Sequence, residues 1–339
     1  MKAIELYKYG NPEEAFRFKK YEIPTPKSEE VLIKVEASGL NFADIMSRRG
    51  LYKDAPPIPF IPGYEVVGVI EKVGENVHES WKGKRVVGFT RFGGYAEYVT
   101  TIHEGIAEIP EEAKSGAAAA LATQYCTAYF SAFLAGHLME GQNVIIHSAA
   151  GGVGTALIQL CKWMNCNIIG LTTSEHKLKH LKNLGVDHPT LADDHTNKAK
   201  SVFGNKKVDL SFNSTAGKSI PKEFKQLSPG GSIILFGASD RAGKKGGLFA
   251  TIAFAFKTGI FHPVQLIMNS NGIIGVNMLH IADAKPFLLN HCINKVVELY
   301  NKNILTPEVG GEFNANDIDK AHEFVETKQS KGKVIIKWE

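Results

Sequence analysis

The residues whose types and spacing can do chemistry are Ala149, Gly151, Gly152 and Gly154, in the run NVIIHSAAGGVG at 143–154. The run reads as a buried strand, a glycine-rich turn and the start of a helix. Such a turn sets bare backbone N–H groups and the positive end of a helix beside a phosphate anion. Ala149 takes the first position of the usual glycine pattern. Gly151 and Gly152 let backbone approach a pyrophosphate, and Gly154 lets the helix pack closely on the strand. The next strand, NIIGLTT at 167–173, ends about 20 residues on, where such a unit selects its cofactor. An NAD site needs an acid there for the ribose hydroxyls. Thr172, Thr173 and Ser174 stand there instead, with Lys177 one turn further. Hydroxyls and a cation suit a 2′-phosphate, so NADPH is the expected cofactor. Glu175 competes as an NAD-type acid, although an acid in the first turn of a helix also complements the helix dipole.

The elements around this turn set its context. NVIIH, a helix over 153–165, NIIGLTT, a helix over 175–184, VDLSFNS, a helix over 220–227, SIILFGA and IIGVNM alternate in the βαβ rhythm of a parallel sheet. The loops 213–217, 236–239 and 275–278 fall at carboxyl ends of those strands, where ligands bind in such sheets. The first third differs. AIELY, VLIKVEAS, YEVVGVIEKVG, KRVVGFT and GYAEYVTT are short alternating strands punctuated by Gly and Pro, the pattern of a compact, mostly antiparallel β domain. Pro56, Pro57, Pro59 and Pro62 stiffen the approach to Gly63. Residues 115–135 form an alanine-rich helical pattern with Tyr125, Tyr129 and Phe133 on one packing face. A helix over 290–301 and the strand KVIIKWE return the chain to the first domain. A β-rich domain interrupted by a nucleotide-binding one is expected to leave a cleft where two ligands meet.

Bulk properties narrow the function class. The 339 residues suffice for two domains, since single cores stop growing at roughly 250–300 residues. The net charge of +4 is spread along the chain, and the pairs Lys206–Lys207 and Lys244–Lys245 read as loop charge, so no nucleic-acid partner is expected. Cys126, Cys161, Cys166 and Cys292 show no C-x-x-C spacing, which excludes zinc-ribbon and thioredoxin readings and fits a reduced, cytoplasmic compartment. MKAIELYKYG lacks the apolar centre of a signal peptide. The apolar segment 247–268 is interrupted by Lys257, His262 and Pro263, too early for a spanning helix of roughly 20 residues. It reads as a lid or subunit contact. Surface attachment to a membrane has no other support.

GLNFAD, PGYEVVG, KRVVGFT, GGYAEY, AAAALATQYCTAY, NVIIHSAAGGVG and KGKVII, in this order, resemble the medium-chain dehydrogenase/reductase superfamily over essentially the whole length. Within it the chain is similar to the zinc-free quinone oxidoreductase branch, and GLNFADIMSRRGLY is most like the vesicle amine transport protein homologues of that branch. The resemblance implies a GroES-like β-rich catalytic domain at 1–122 and 280–339 and a Rossmann doubly wound parallel-sheet domain at 123–279. It implies a homodimer joined partly through IIGVNM. It also implies NADPH-dependent reduction of a quinone or of a carbon–carbon double bond beside a carbonyl. Where zinc-dependent relatives place a Cys and a His, this chain has Asn41 and Tyr64. Glu65 alone cannot hold a catalytic zinc that needs about three protein ligands, so no metal is expected. His78, His103 and His137 read as surface or packing residues.

The resemblance also implies the site. Asn41, Asp44 and Tyr52 are its cleft residues, with Tyr64 in the place of the ligand His. Asn41 offers an amide donor to the nicotinamide ribose or the substrate oxygen, and Tyr52 a phenol as donor or proton relay. Asp44 is expected to orient its neighbours, because an unperturbed Asp is ionised at neutral pH. Cofactor contacts fall on Asn41, Thr127, Ala150, Gly151, Gly152, Val153, Thr173, Ser174, Lys177, Asn213, Phe236, Gly237, Val276 and Lys333. Ala192 stands where close relatives carry a Tyr near the adenine, which leaves Lys177 more of the phosphate recognition. Two competing readings stay open: an enoyl or alkenal reductase without quinone activity, and a vesicle-associated nucleotide-binding protein with little catalysis.

Overall fold

The computed structural model describes residues 1–238, 258–259, 261–327 and 329–338. The chain divides into two compact units, Met1–Cys126 with Met278–Glu339, and Thr127–Asn277. The opening part of the first unit supplies β1 (Lys2–Leu6), β2 (Phe16–Lys20), β3 (Glu30–Leu40), β4 (Glu65–Val73), β5 (Arg85–Phe89), β6 (Tyr98–Ile102) and β7 (Ile106–Glu108). The second unit supplies β8 (Asn143–Ile146), β9 (Asn167–Thr172), β10 (His188–Leu191), β11 (Val208–Asn213), β12 (Leu227–Leu235) and β13 (Gly272–Gly275). β14 (Val309–Asn314) and β15 (Lys333–Lys337) follow it and belong to the first unit.

In the first unit a seven-stranded sheet runs β14-β15-β3-β4-β5-β7, with β6 also paired to β3. β14 and β15 are parallel, and the other pairs are antiparallel. β3 is the organising strand. It pairs with β15, β4 and β6, and it is buried along most of its length, as a centre strand must be. Its apolar residues join Val66, Ile70, Val86 and Val99 in one core cluster. β1 and β2 form a separate antiparallel pair. β2, FRFKK, had no expected strand. It is largely exposed, so it lacks the in–out contrast that marks a strand in sequence.

The second unit is a six-stranded, wholly parallel sheet in the order β10-β9-β8-β11-β12-β13. The strand order reverses between β8 and β11, the position where such sheets take ligands. Several boundaries differ from the sequence expectation. The helix expected over 220–227 is Ser219–Phe224, because buried Leu227 already pairs with Val208 in β12. The helix expected over 175–184 opens with a 3₁₀ turn, Glu175–Lys177, before Leu178–Asn183. The strand IIGVNM stops at Gly275, and SIILFGA at Leu235. β10 was not expected, since Pro189 breaks the sequence signal. At the sheet edge the missing N–H costs nothing.

Residues 115–135 are helical, but wide π turns at Leu121–Tyr125 and Phe130–Ala135 interrupt the α-helix. Tyr129 and Phe133 still pack, with ring centroids 4.9 Å apart. Of the apolar segment 247–268, residues 247–257 and Ile260 lie outside the described residues, as do Lys244, Lys245 and Ser239. The rest includes the helix Pro263–Asn269, on which Ile267 and Met268 are exposed. Among the described residues no helix is long and apolar enough to cross a membrane.

Candidate functional site

In the first unit, three adjacent strands bring three polar residues together. Asn41 follows β3, Glu65 opens β4 and Lys333 opens β15. Because β15 and β4 flank β3 in antiparallel register, their first residues arrive beside its last ones. The Lys333 ammonium, with no exposure, donates to Asn41 Oδ1 at 3.0 Å and to Glu65 Oε1. Asn41 Nδ2 donates to the same Glu65 oxygen at 2.8 Å, which fixes the amide orientation. Gln124 Nε2 lies 3.4 Å from Asn41 Oδ1. Among the described residues, no donor reaches the buried Glu65 Oε2 or Gln124 Oε1. Gly39 makes the cluster possible: a Cβ there would fall 2.6 Å from the Lys333 Cε and inside the Glu65 carboxylate.

Asp44 sits one layer below. It is the third residue of the helix Phe42–Arg48, reached from Asn41 at the N-cap. Its carboxylate accepts the Asn41 N–H at 2.9 Å and the Gly63 N–H at 3.2 Å. Gly63 has φ +100°, and a Cβ there would lie 2.8 Å from the Tyr95 nitrogen, so only glycine fits. Asp44 departs from the ordinary Asp range on which its ionisation was expected. Burial pushes its carboxyl up to about 7, against the two backbone N–H groups, and Glu65 adds to the rise while Lys333 opposes it. Burial also raises Tyr52 to about 12, with Asp54 contributing. Tyr64 is pushed well above the usual phenol range, first by burial and then by Asp44. The Tyr52 and Tyr64 rings meet edge-on at 6.1 Å, and the Tyr64 hydroxyl is 3.5 Å from Ser47 Oγ. All four expected catalytic residues, with Lys333, therefore lie in this unit. Glu65 as the joint between Asn41 and Lys333 was not expected. Its sequence signal is Gly39, a glycine inside a strand, which marks a close approach.

In the second unit the glycine turn has the expected form. Ser148 takes φ +49°, and its carbonyl accepts the Gly151 N–H at 2.8 Å. Gly151 is the N-cap of the helix Gly152–Trp163, and as a glycine it brings no capping side chain. The first-turn N–H groups of a helix have no intrahelical acceptor. Gly151 is exposed, while Ala149 and Ala150 are buried. A Cβ on Gly154 would sit 2.4 Å from the Ser148 carbonyl oxygen, so the helix is packed directly on the turn.

The remaining expected cofactor residues divide by exposure. Thr173 and Gly237 are exposed. Thr127, Gly152, Val153, Ser174 and Phe236 are half-buried. Lys177 and Val276 are buried. Asn213 is fully buried, and both ends of its amide bond to protein. Ala192 opens a 3₁₀ turn after β10. All four cysteines are free and buried. Among the described residues no group of three or more His, Cys, Asp or Glu side chains is placed to hold a metal. His78 accepts from the Ser80 N–H, and His103 packs on Trp81.

Comparison with known proteins bears on this geometry. Residues 27–111 match the alcohol dehydrogenase GroES-like domain, and 152–292 match the zinc-binding dehydrogenase family. The chain is 32% identical over 338 residues to the synaptic vesicle membrane protein VAT-1 homolog of Danio rerio, covering 99% of this chain and 69% of that protein. It is 29% identical to the quinone oxidoreductase of Rattus norvegicus, covering 99% and 97%. A mycobacterial protein solved in complex with NADPH superposes with a TM-score of 0.84 at 26% identity, over the full length of both chains. A GroES-like β unit interrupted by a parallel-sheet nucleotide unit, with these relatives along nearly the whole chain, makes this protein a member of the medium-chain dehydrogenase/reductase superfamily.

Proposed function

We propose that this protein is an NADPH-dependent oxidoreductase that works without zinc and passes hydride to a quinone or an α,β-unsaturated carbonyl. The observation that carries the zinc-free reading is the seat of Lys333. Its ammonium occupies the corner shared by Asn41 and Glu65. Asn41 stands at a position that the resemblance gives to a metal ligand. A fixed cation already neutralises the one carboxylate there, and a second cation would be repelled. Two relatives support the redox reading, a quinone oxidoreductase and a protein solved with NADPH.

The second unit fits the nucleotide. A Cβ on Gly151 would lie 3.2 Å from the Ser148 oxygen, so the turn is a shallow cradle that side chains would fill. The amides of Gly151, Gly152 and Val153 would hold the pyrophosphate. Thr173, Ser174 and Lys177 would hold the 2′-phosphate. Thr127, Ala150, Phe236, Gly237 and Val276 would line the rest of the coenzyme site, with Asn213 supporting it. When bound, the reduced nicotinamide supplies the hydride.

This chain's residues handle the charge and the proton. Tyr52 and Tyr64 stay protonated across the neutral range and are donors to an oxygen that gains charge. Asp44, poised near neutrality, can hold or release a proton at its carboxylate. Lys333 keeps Asn41 Oδ1 occupied, so the remaining amide hydrogen of Asn41 is the one that can face a ligand. The protein is proposed to be cytoplasmic, consistent with its free thiols, and to form a homodimer joined partly through β13, an end strand among the described residues. Likeness to VAT-1 homologues favours a second reading, nucleotide binding with little turnover. Steady-state assays with NADPH against naphthoquinones and short alkenals, beside calorimetric NADPH titration and metal analysis, separate these. Binding with quinone turnover and no stoichiometric metal is expected. Absence of NADPH binding, or a tightly held transition metal, overturns the proposal.

A further inference from the structure

Beneath the nucleotide turn of the second unit lies a second buried polar cluster, centred on Glu223. This residue, on the helix Ser219–Phe224, is 1% exposed. Four donor contacts converge on its two oxygens. His147 Nε2 lies 2.8 Å from Oε1. Asn213 Nδ2 lies 3.1 and 3.2 Å from the two oxygens, and Ser211 Oγ donates to Oε2. His195 Nε2 stands further off, 3.9 Å from Oε1. His147 follows β8 and Asn213 ends β11, so the carboxylate ties together the two strand ends at the reversal of strand order.

The far end of Asn213 carries this constraint to the surface. Its Oδ1 accepts the N–H groups of Thr215 at 2.9 Å and Ala216 at 2.8 Å. These bonds hold the loop 214–217, in which Ala216 takes φ +57°. From that loop Ser214 Oγ donates to Ser148 Oγ at 2.9 Å. Ser148 is the first residue of the glycine turn. Asn213 thus spends its amide on protein and shapes the loop rather than reaching a ligand itself.

We infer that Glu223 is a positioning residue for coenzyme binding: through Asn213 and His147 it sets the loop 214–217 and the glycine turn in their binding shape. The inference rests on the reading that this turn takes NADPH. A carboxylate suits the position best, because Asn213 Nδ2 and Ser211 Oγ donate to it and His147 Nε2 stands at hydrogen-bond distance. A glutamine would turn an NH₂ toward one of them, and an aliphatic residue would strand buried donors. Burial alone would raise this carboxyl, yet the charge and hydrogen bond of His147, with Ser211 and His195, hold it below the usual carboxylate range.

The test uses the full chain and NADPH itself. Calorimetric dissociation constants, melting temperatures without coenzyme, and kcat at saturating NADPH are measured for the native protein, Glu223→Ala, Glu223→Gln and Ser214→Ala. Glu223→Ala is expected to weaken NADPH about tenfold or more, the effect of one charge-assisted hydrogen bond. Glu223→Gln is expected to recover part of that affinity, and kcat at saturation to change less than about twofold. Ser214→Ala cuts the link to Ser148 outside the buried cluster, so it keeps the relay testable if Glu223 variants do not fold; it is expected to weaken NADPH about threefold. Lower melting temperatures with unchanged NADPH affinity in folded Glu223 variants would reduce the cluster to packing and overturn the inference, as would unchanged affinity in Ser214→Ala. If the native protein itself does not bind NADPH, the functional reading falls, and this inference with it.

Discussion

A buried ammonium is tolerable only where its charge and its donors are met, and Lys333 meets both conditions through Glu65 and Asn41. Lys333→Met leaves the Glu65 carboxylate buried without its counter-charge, with only the Asn41 amide still donating to it. Urea unfolding should show a loss of about 3–5 kcal/mol, and adding Glu65→Gln should restore part of it. A single-mutant loss below about 1 kcal/mol would place the pair among weak surface contacts. Asp44 makes a prediction of opposite character. Its folded carboxyl titrates above its ordinary value of 3.8, at about 7, so the native state holds a proton that the unfolded chain releases. Its contribution is therefore most favourable below the unfolded value and is lost as pH rises through that window, by at most roughly 4 kcal/mol. Denaturation at pH 5 and pH 8 should show a smaller decline for Asp44→Asn than for the native protein; equal declines would put the titration elsewhere. Lys177→Ala should raise the KM for NADPH about tenfold or more and leave that for NADH nearly unchanged, because only the former carries the 2′-phosphate. Equal changes with both coenzymes would remove Lys177 from phosphate recognition.

At the scale of elements, the glycine turn concentrates its tolerance in one position. Gly154→Ala would drive a methyl into the Ser148 carbonyl, which is backbone and cannot rotate away. NADPH affinity should fall by an order of magnitude or more, about 1.4 kcal/mol per tenfold, as read by calorimetry on folded protein. An unchanged affinity would mean that the turn is not the phosphate site. This turn was legible in sequence because strand, glycines and helix are contiguous and their backbone demands are local. The strands around it were legible where apolar runs were long, as in β8 and β9. β10 and β2 were not, since one carries a proline at an edge and the other shows little burial contrast. The Glu65–Lys333 contact was beyond sequence reading for another reason: 268 residues separate the partners, and only strand register makes them neighbours. The poise of Asp44 depends on burial, which composition does not carry.

At the scale of the whole molecule, β13 is the end strand of the six-stranded sheet among the described residues, and its residues Ile273 and Ile274 are only half-buried. An apolar edge strand with open backbone groups is a template for pairing with a second copy. Ile273→Pro removes one N–H from that edge, since Val276 and, by alternation, Ile274 donate inward to β12, and sedimentation should show a shift from dimer to monomer. A native protein that already sediments as a monomer would end the dimer reading.

The seat of Lys333 also bears on the order in which the protein is made. Strands β8 to β13 are all synthesised before residue 278, but the sheet of the first unit is not complete until β15. Asn41 and Glu65 wait for a cation encoded 292 and 268 residues later, on a strand that closes the sheet from its other side. Until that strand emerges, a carboxylate meant for a dry interior stays hydrated, and translation keeps the Asn41–Glu65–Lys333 cluster unassembled after the strands of the second unit have been made.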